Sequence, residues 1–65
     1  MMMKIDWKSL IGKKVFLKTK TDLEYTGVIT EIADTGDGYI WVHLIDKFGK
    51  LVVFLQDEIV GLVEK

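Results

Sequence analysis

Apolar residues alternate with polar or charged residues along most of the chain, a period of two that is typical of β-strands with one buried face. Clusters of Gly, Asp and Thr interrupt the alternation and indicate tight turns. Gly27 lies inside the second alternating segment, where a missing side chain marks a bend or a close backbone approach. The pattern therefore predicts five antiparallel strands, the second strongly bent, over residues 14–20, 24–34, 39–46, 50–56 and 59–64.

A short helix is predicted before the strands, over residues 6–12. Asp6 is a typical N-cap residue, and Gly12 suits the left-handed conformation that ends helices. Ile5, Leu10 and Ile11 give the segment an apolar side. We therefore expect the helix to lie against the sheet.

The 65 residues form one predicted domain, 1–65, which is too short for a large core. The chain has no Cys, so disulfides cannot add stability, and one His without a thiol does not favour a zinc site. Oligomerisation is therefore the expected additional source of stability. No segment approaches the length of a membrane span, and the N-terminal Met-Met-Met-Lys lacks the apolar region of a signal peptide. We expect a cytoplasmic protein.

Closing the sheet into an SH3-like barrel is how a chain of short strands avoids long open edges. The last two predicted strands are apolar on both faces. The small core of a single chain covers only one face of each strand. A second copy of the chain would cover the other. The expected oligomer interface consists of Val52, Val53, Phe54, Ile59, Val60 and Leu62.

The order of several motifs resembles the Sm and Sm-like (LSm) family over essentially the whole chain. These motifs are Leu10-Ile11-Gly12-Lys13-Lys14-Val15, Lys18-Thr19, Tyr25-x-Gly27-x-Ile29, Asp34, Asp46-x-x-Gly49 and Ile59. The resemblance implies a five-stranded Sm-like barrel capped by a helix. It also implies a homo-oligomeric ring, in which strand four joins strand five of a neighbour, and single-stranded, uridine-rich RNA as the ligand.

The residues that read uridine in the family are replaced in this chain. Asp34 matches the family's Asp, but Gly36 stands at the base-stacking position and Asp37 at the Asn position. Leu55 and Gln56 stand where the family has Arg and Gly, and the chain contains neither Arg nor Asn. The uridine pocket is therefore missing, and we expect weak or atypical RNA binding. Its candidate residues are Lys18, Lys20, Asp34, Asp37, Tyr39 and Gln56.

Two other classes of function compete with this interpretation. Asp34-Thr35-Gly36 matches the aspartic protease motif, but a turn at a strand end explains it without catalysis, and no nucleophile and base pair can be identified. We expect no enzyme activity, no metal and no cofactor. Tyr39, Trp41 and His43 share a strand face that could stack bases or bind a Pro-rich peptide, although core packing is the expected role. The alternative function is an SH3-like structural or protein-interaction module without nucleic acid.

Overall fold

The computed structural model describes residues 6–65, so Ile5 lies outside the described residues. The strands are β1 (Lys14–Thr19), β2 (Glu24–Asp34), β3 (Ile40–Asp46), β4 (Leu51–Leu55) and β5 (Ile59–Glu64). Two short 3₁₀ segments accompany them, which we name the N-terminal turn (Trp7–Leu10) and the linking turn (Gln56–Glu58, between β4 and β5). Each predicted strand is confirmed to within one residue at either end.

The strands form one antiparallel sheet in the order β4-β3-β2-β1-β5, which confirms the mostly β prediction. Closure of the sheet into a barrel is not confirmed, because β4 and β5 are its two edges and do not pair with each other. The linking turn carries the chain from one edge to the other. It contacts the β1–β2 turn, where the Lys20 N–H donates to the Glu58 carbonyl at 2.8 Å.

Strand β2 bends because its two halves pair with different neighbours. Residues 24–28 pair with β1, and residues 27–34 pair with β3, with a register irregularity between Ile29 and Glu31. The predicted close approach at Gly27 is confirmed: a Cβ there would contact the Ile45 carbonyl and lie 2.8 Å from the Asp46 Cα. The missing side chain lets β3 cross β2 at the bend.

The core lies on the concave side of this curved sheet. Leu17, Ile29 and Leu44 are fully buried there, and Tyr25 packs edge to face on Phe54 with ring centroids 4.9 Å apart. Trp7 and Leu10 of the N-terminal turn complete the core. Its buried apolar residues are Trp7, Leu10, Val15, Leu17, Ile29, Val42, Leu44 and Phe54.

The predicted N-terminal helix is a single 3₁₀ turn, and the expected Asp6 side-chain cap is wrong. The Asp6 backbone carbonyl accepts instead from the Ser9 N–H at 3.2 Å and the Ser9 hydroxyl at 2.7 Å. Gly12 follows with φ +86°, as expected, and its N–H donates to the Ile29 carbonyl at 2.7 Å. This bond to β2 turns the chain into β1 after one helical turn, so a longer helix does not form.

Candidate functional site

The turn between β2 and β3 is held by its own side chains. The Asp34 carboxylate accepts from the Gly36 N–H at 2.9 Å, and the Thr35 hydroxyl donates to the Asp37 carboxylate. Gly36 and Gly38 have φ of +82° and +96°, which confirms the role predicted for these glycines. The aspartic protease motif is thus part of a turn in which Asp34 orders the backbone.

This turn presents negative charge to solvent. The Thr35 hydroxyl lowers the pKa of the exposed Asp37 carboxyl below its ordinary value, and the Tyr39 N–H, 3.4 Å away, acts in the same direction. Asp34 is exposed as well. The resemblance places the uridine-reading Asn at Asp37, and the family's own Asp at Asp34, so both carboxyl groups of this turn would repel phosphate there.

Gln56 lies at the same end of the sheet as this acidic turn. The β3–β4 register sets Trp41 opposite Leu55, so Gln56 follows next to Ile40, which pairs with Asp34. The Gln56 Oε1 accepts from the Trp7 indole N–H at 2.8 Å. Asp34, Asp37, Tyr39 and Gln56 are thus brought to one end, but the Gln56 acceptor is engaged in holding the N-terminal turn.

The two candidate lysines of β1 and its following turn have different surroundings. The Lys18 ammonium forms an ion pair with Asp22 at 2.9 Å on the outer face of the sheet. Lys20 is exposed and its backbone contacts Glu58 in the linking turn. Lys20 therefore contacts the linking turn through its backbone, and the charge of Lys18 is partly compensated.

The aromatic row on β3 is not part of the core, so the packing role predicted for it is wrong. Tyr39 is 50% exposed and Trp41 is 39% exposed, while the alternate residues Val42 and Leu44 are fully buried. His43, between them on the outer face, is partly buried. Both faces of β3 are apolar, and the direction of curvature determines which one is enclosed.

An apolar surface surrounds Trp41 on the outside of β2, β3 and β4. The register aligns Val28, Ile45 and Leu51 in one row across the three strands, and Ala33, Trp41 and Leu55 in another. The row between them consists of Glu31, His43 and Val53, of which Val53 is 43% exposed. We call the set Val28, Ala33, Trp41, Ile45, Leu51, Val53 and Leu55 the outer apolar face.

The residues expected in the oligomer interface divide between the two sides of the sheet. Phe54 is in the core, and Val52, Ile59 and Leu62 pack against it. Val53 and Val60 are 43% and 60% exposed on the two edge strands. The side chains open to a partner are therefore Val53 on β4 and Val60 on β5.

Phe16, Phe48 and Lys65 were not predicted as site residues from the sequence. Phe48 is 81% exposed in the β3–β4 turn, and the Lys47 ammonium lies 5.3 Å from its ring centroid. The Lys65 ammonium lies 5.8 Å from the centroid of Phe16. The sequence pattern that could have indicated this surface is the alternation of Lys14, Phe16 and Lys18, which places all three on one face of a predicted strand.

Residues 6–65 contain no group of three or more His, Cys, Asp and Glu side chains that could hold a metal ion. No helix within this range is long and apolar enough to cross a membrane. No family model, curated protein or solved structure matches the chain significantly.

Proposed function

We propose that the chain is a self-assembling, Sm-like subunit in which β4 of one copy pairs with β5 of the next. The observation that carries this proposal is the sheet order, because it leaves two different strands of one curved sheet as free edges. An edge strand presents a row of unpaired N–H and C=O groups that another strand can pair with. Joining unlike edges is a head-to-tail contact, which closes into a ring when the rotation between copies allows it.

Charged residues and prolines protect edge strands of monomers, and the two edge strands carry only one such residue, Glu64 at the end of β5. Strand β4 is Leu51–Leu55, without a charge or a proline, and Leu51 and Val53 are exposed on it. Strand β5 exposes Val60 and Val63, which are 60% and 62% accessible. Pairing of β4 with β5 would bury these side chains and satisfy both edges.

The test replaces the exposed edge valines with lysine. Val53→Lys and Val60→Lys put a charge into the proposed contact, so each should reduce the native mass to that of a single chain. Leu23→Lys is the matched control, since Leu23 is 54% exposed in the β1–β2 turn and belongs to neither edge strand. Sedimentation of the unaltered chain as a monomer at micromolar concentration would overturn the proposal.

RNA is the ligand that the proposal includes, bound through phosphates rather than uracil. The Asp34 and Asp37 side chains lie at the end of the sheet where uridine would be read, the pKa of Asp37 is lowered, and Gln56 accepts from Trp7. Binding should therefore be weak, fall steeply with salt and scarcely distinguish oligouridine from oligoadenine. Titration of both labelled oligomers over a salt series tests this, and a strong uridine preference at physiological salt would contradict it.

The outer apolar face supports a second candidate function, an SH3-like module that binds a protein segment. Trp41 is 39% exposed between its apolar pairing partners Ala33 and Leu55, and aromatic surfaces bind Pro-rich peptides. If so, a Pro-rich peptide should shift the Trp41 indole resonance, and Trp41→Ala should abolish binding without changing the native mass. A peptide that binds Trp41→Ala equally well would exclude this face.

A further inference from the structure

Strand β1 presents a basic face with an aromatic ring at its centre. Val15 and Leu17 are fully buried, so Lys14, Phe16 and Lys18 share the opposite, outward face. Strands β2 and β5 flank β1, which makes this the outer surface of a three-stranded part of the sheet. The ring of Phe16 is partly exposed.

The neighbours of Phe16 are small, so they leave room for a ligand. Phe16 pairs with Thr26 on one side and with Val63 on the other. The N–H of Lys65 donates to the Lys14 carbonyl at 2.8 Å, which extends the β5 ladder and brings the Lys65 ammonium to 5.8 Å from the Phe16 centroid. No side chain larger than valine stands beside the ring in its pairing row.

The β3–β4 turn adds a second aromatic ring and a further lysine next to this face. The Lys47 N–H donates to the carbonyl of Thr26, the partner of Phe16, at 3.1 Å. The Asp46 carboxylate accepts from the Phe48 and Lys50 N–H groups, each at 2.9 Å, which orders the turn. Phe48 is thus held exposed by an ordered turn. We name Lys14, Phe16, Lys18, Lys47, Phe48 and Lys65 the Phe16 face.

The lysines of the Phe16 face have acidic residues near them, because Glu24 stands opposite Lys18 in the β1–β2 register and Asp46 directly precedes Lys47. Among residues 6–65, Lys18 and Lys13 form ion pairs, with Asp22 and Glu64. Lys14, Lys47 and Lys65 form none with any residue in that range. The Phe16 face therefore holds three ammonium groups that form no ion pair with residues 6–65.

We propose that the Phe16 face binds single-stranded nucleic acid, with phosphates on Lys14, Lys47 and Lys65 and a base stacked on Phe16. Aromatic rings among lysines bind single strands in this way, and stacking accepts every base. A base that stacks on Phe16 would displace the Lys65 ammonium from the ring. The displaced ammonium would then bind a phosphate of the same strand. This inference takes only the class of ligand from the proposed function. It does not depend on assembly, because the Phe16 face lies within one subunit.

The experiment measures binding of a labelled oligouridine 12-mer and an oligoadenine 12-mer at low salt and over a salt series. Phe16→Leu keeps an apolar side chain in β1 but removes the stacking ring, and should weaken binding of both oligomers about tenfold. Phe16→Trp should restore or exceed the original affinity. Lys14→Ala should lower the salt slope by about one, while Lys8→Ala, an exposed lysine on the N-terminal turn, is the matched control and should not.

Each outcome decides the proposal. Losses at Phe16→Leu and Lys14→Ala, with native mass and thermal midpoint unchanged, support the Phe16 face. Binding that survives Phe16→Leu, or that falls equally in Lys14→Ala and Lys8→Ala, overturns the face but leaves nonspecific RNA association standing. Absence of binding at low salt, or tighter binding to anionic vesicles than to either oligomer, overturns both. The native mass of the unaltered chain decides the assembly proposal separately.

Discussion

Single residues determine where this sheet can curve. Gly27 is the clearest case, because β3 crosses β2 so closely there that a Cβ would collide with the backbone of Ile45 and Asp46. Gly61 on β5 is different: a Cβ there would lie 3.9 Å from the Lys18 Cβ, an ordinary contact. A side chain is therefore sterically excluded at position 27, whereas position 61 has room for a Cβ.

Gly27→Ala is expected to destabilise the fold by about 2–3 kcal/mol, because the obstructing atoms belong to the backbone and the strands must move apart. Gly61→Ala should change the free energy of unfolding by less than about 1 kcal/mol. Urea unfolding of both variants measures the difference. Equal stabilities would show that β2 and β3 do not approach each other at Gly27.

A second prediction at the residue scale concerns the acidic turn. Thr35→Val removes the hydroxyl that lowers the pKa of Asp37, so that pKa should rise toward its ordinary value of 3.8. A lowered folded-state pKa contributes stability above the ordinary value, which is lost as the pH falls through the folded pKa. An NMR titration of the Asp37 carboxyl carbon measures the change. Ser9→Ala, which removes a hydroxyl that donates to the Asp6 carbonyl, should leave it unchanged.

At the scale of elements, the two 3₁₀ turns are joined to each other. Trp7 is buried, and its indole N–H donates to Gln56 in the linking turn, 49 residues away. The bond spans the side of the molecule where no strand pairing joins β4 to β5. It therefore holds the N-terminal turn against the chain that crosses between the sheet edges.

A double-mutant cycle tests this connection. Trp7→Phe removes the donor and Gln56→Leu removes the acceptor, and each should cost about 1 kcal/mol of unfolding free energy. If the two groups act through one hydrogen bond, the double variant should lose less than the sum, with a coupling of about 1 kcal/mol. Strict additivity would show that the bond contributes nothing to stability.

At the scale of the whole molecule, stability depends on how the edges are covered. A single chain leaves Leu51, Val53, Val60 and Val63 exposed on its two edge strands. Burial of such residues between copies stabilises the folded state by mass action, since the unfolded chain does not assemble. Stability and assembly are thus linked under the proposed function.

The thermal midpoint of the unaltered chain should therefore rise with protein concentration. Val53→Lys should remove this dependence, whereas Leu23→Lys should retain it, because Leu23 lies in the β1–β2 turn. Scanning calorimetry between about 10 µM and 1 mM measures the slope. A midpoint independent of concentration in the unaltered chain would contradict linked assembly.

The sequence alone determined the strands and most of the turns, because these depend on local properties. Alternation of side chains between two faces predicts a strand wherever it occurs, and glycines at Gly12, Gly36 and Gly38 permit the positive φ of their turns. The bend of β2 was predicted from Gly27, because a glycine inside an alternating segment marks a bend or a close backbone approach. None of these features requires knowledge of a distant residue.

The tertiary structure alone decided which face is enclosed and which polar groups are free. Both faces of β3 are apolar, so only the curvature of the sheet places Val42 in the core and leaves Trp41 outside. The Gln56 acceptor is engaged by Trp7, which is distant in sequence, and Phe16 has the ammonium of Lys65, 49 residues further along the chain, near its ring. Such contacts arise from strand order and curvature, which short-range periodicity does not encode.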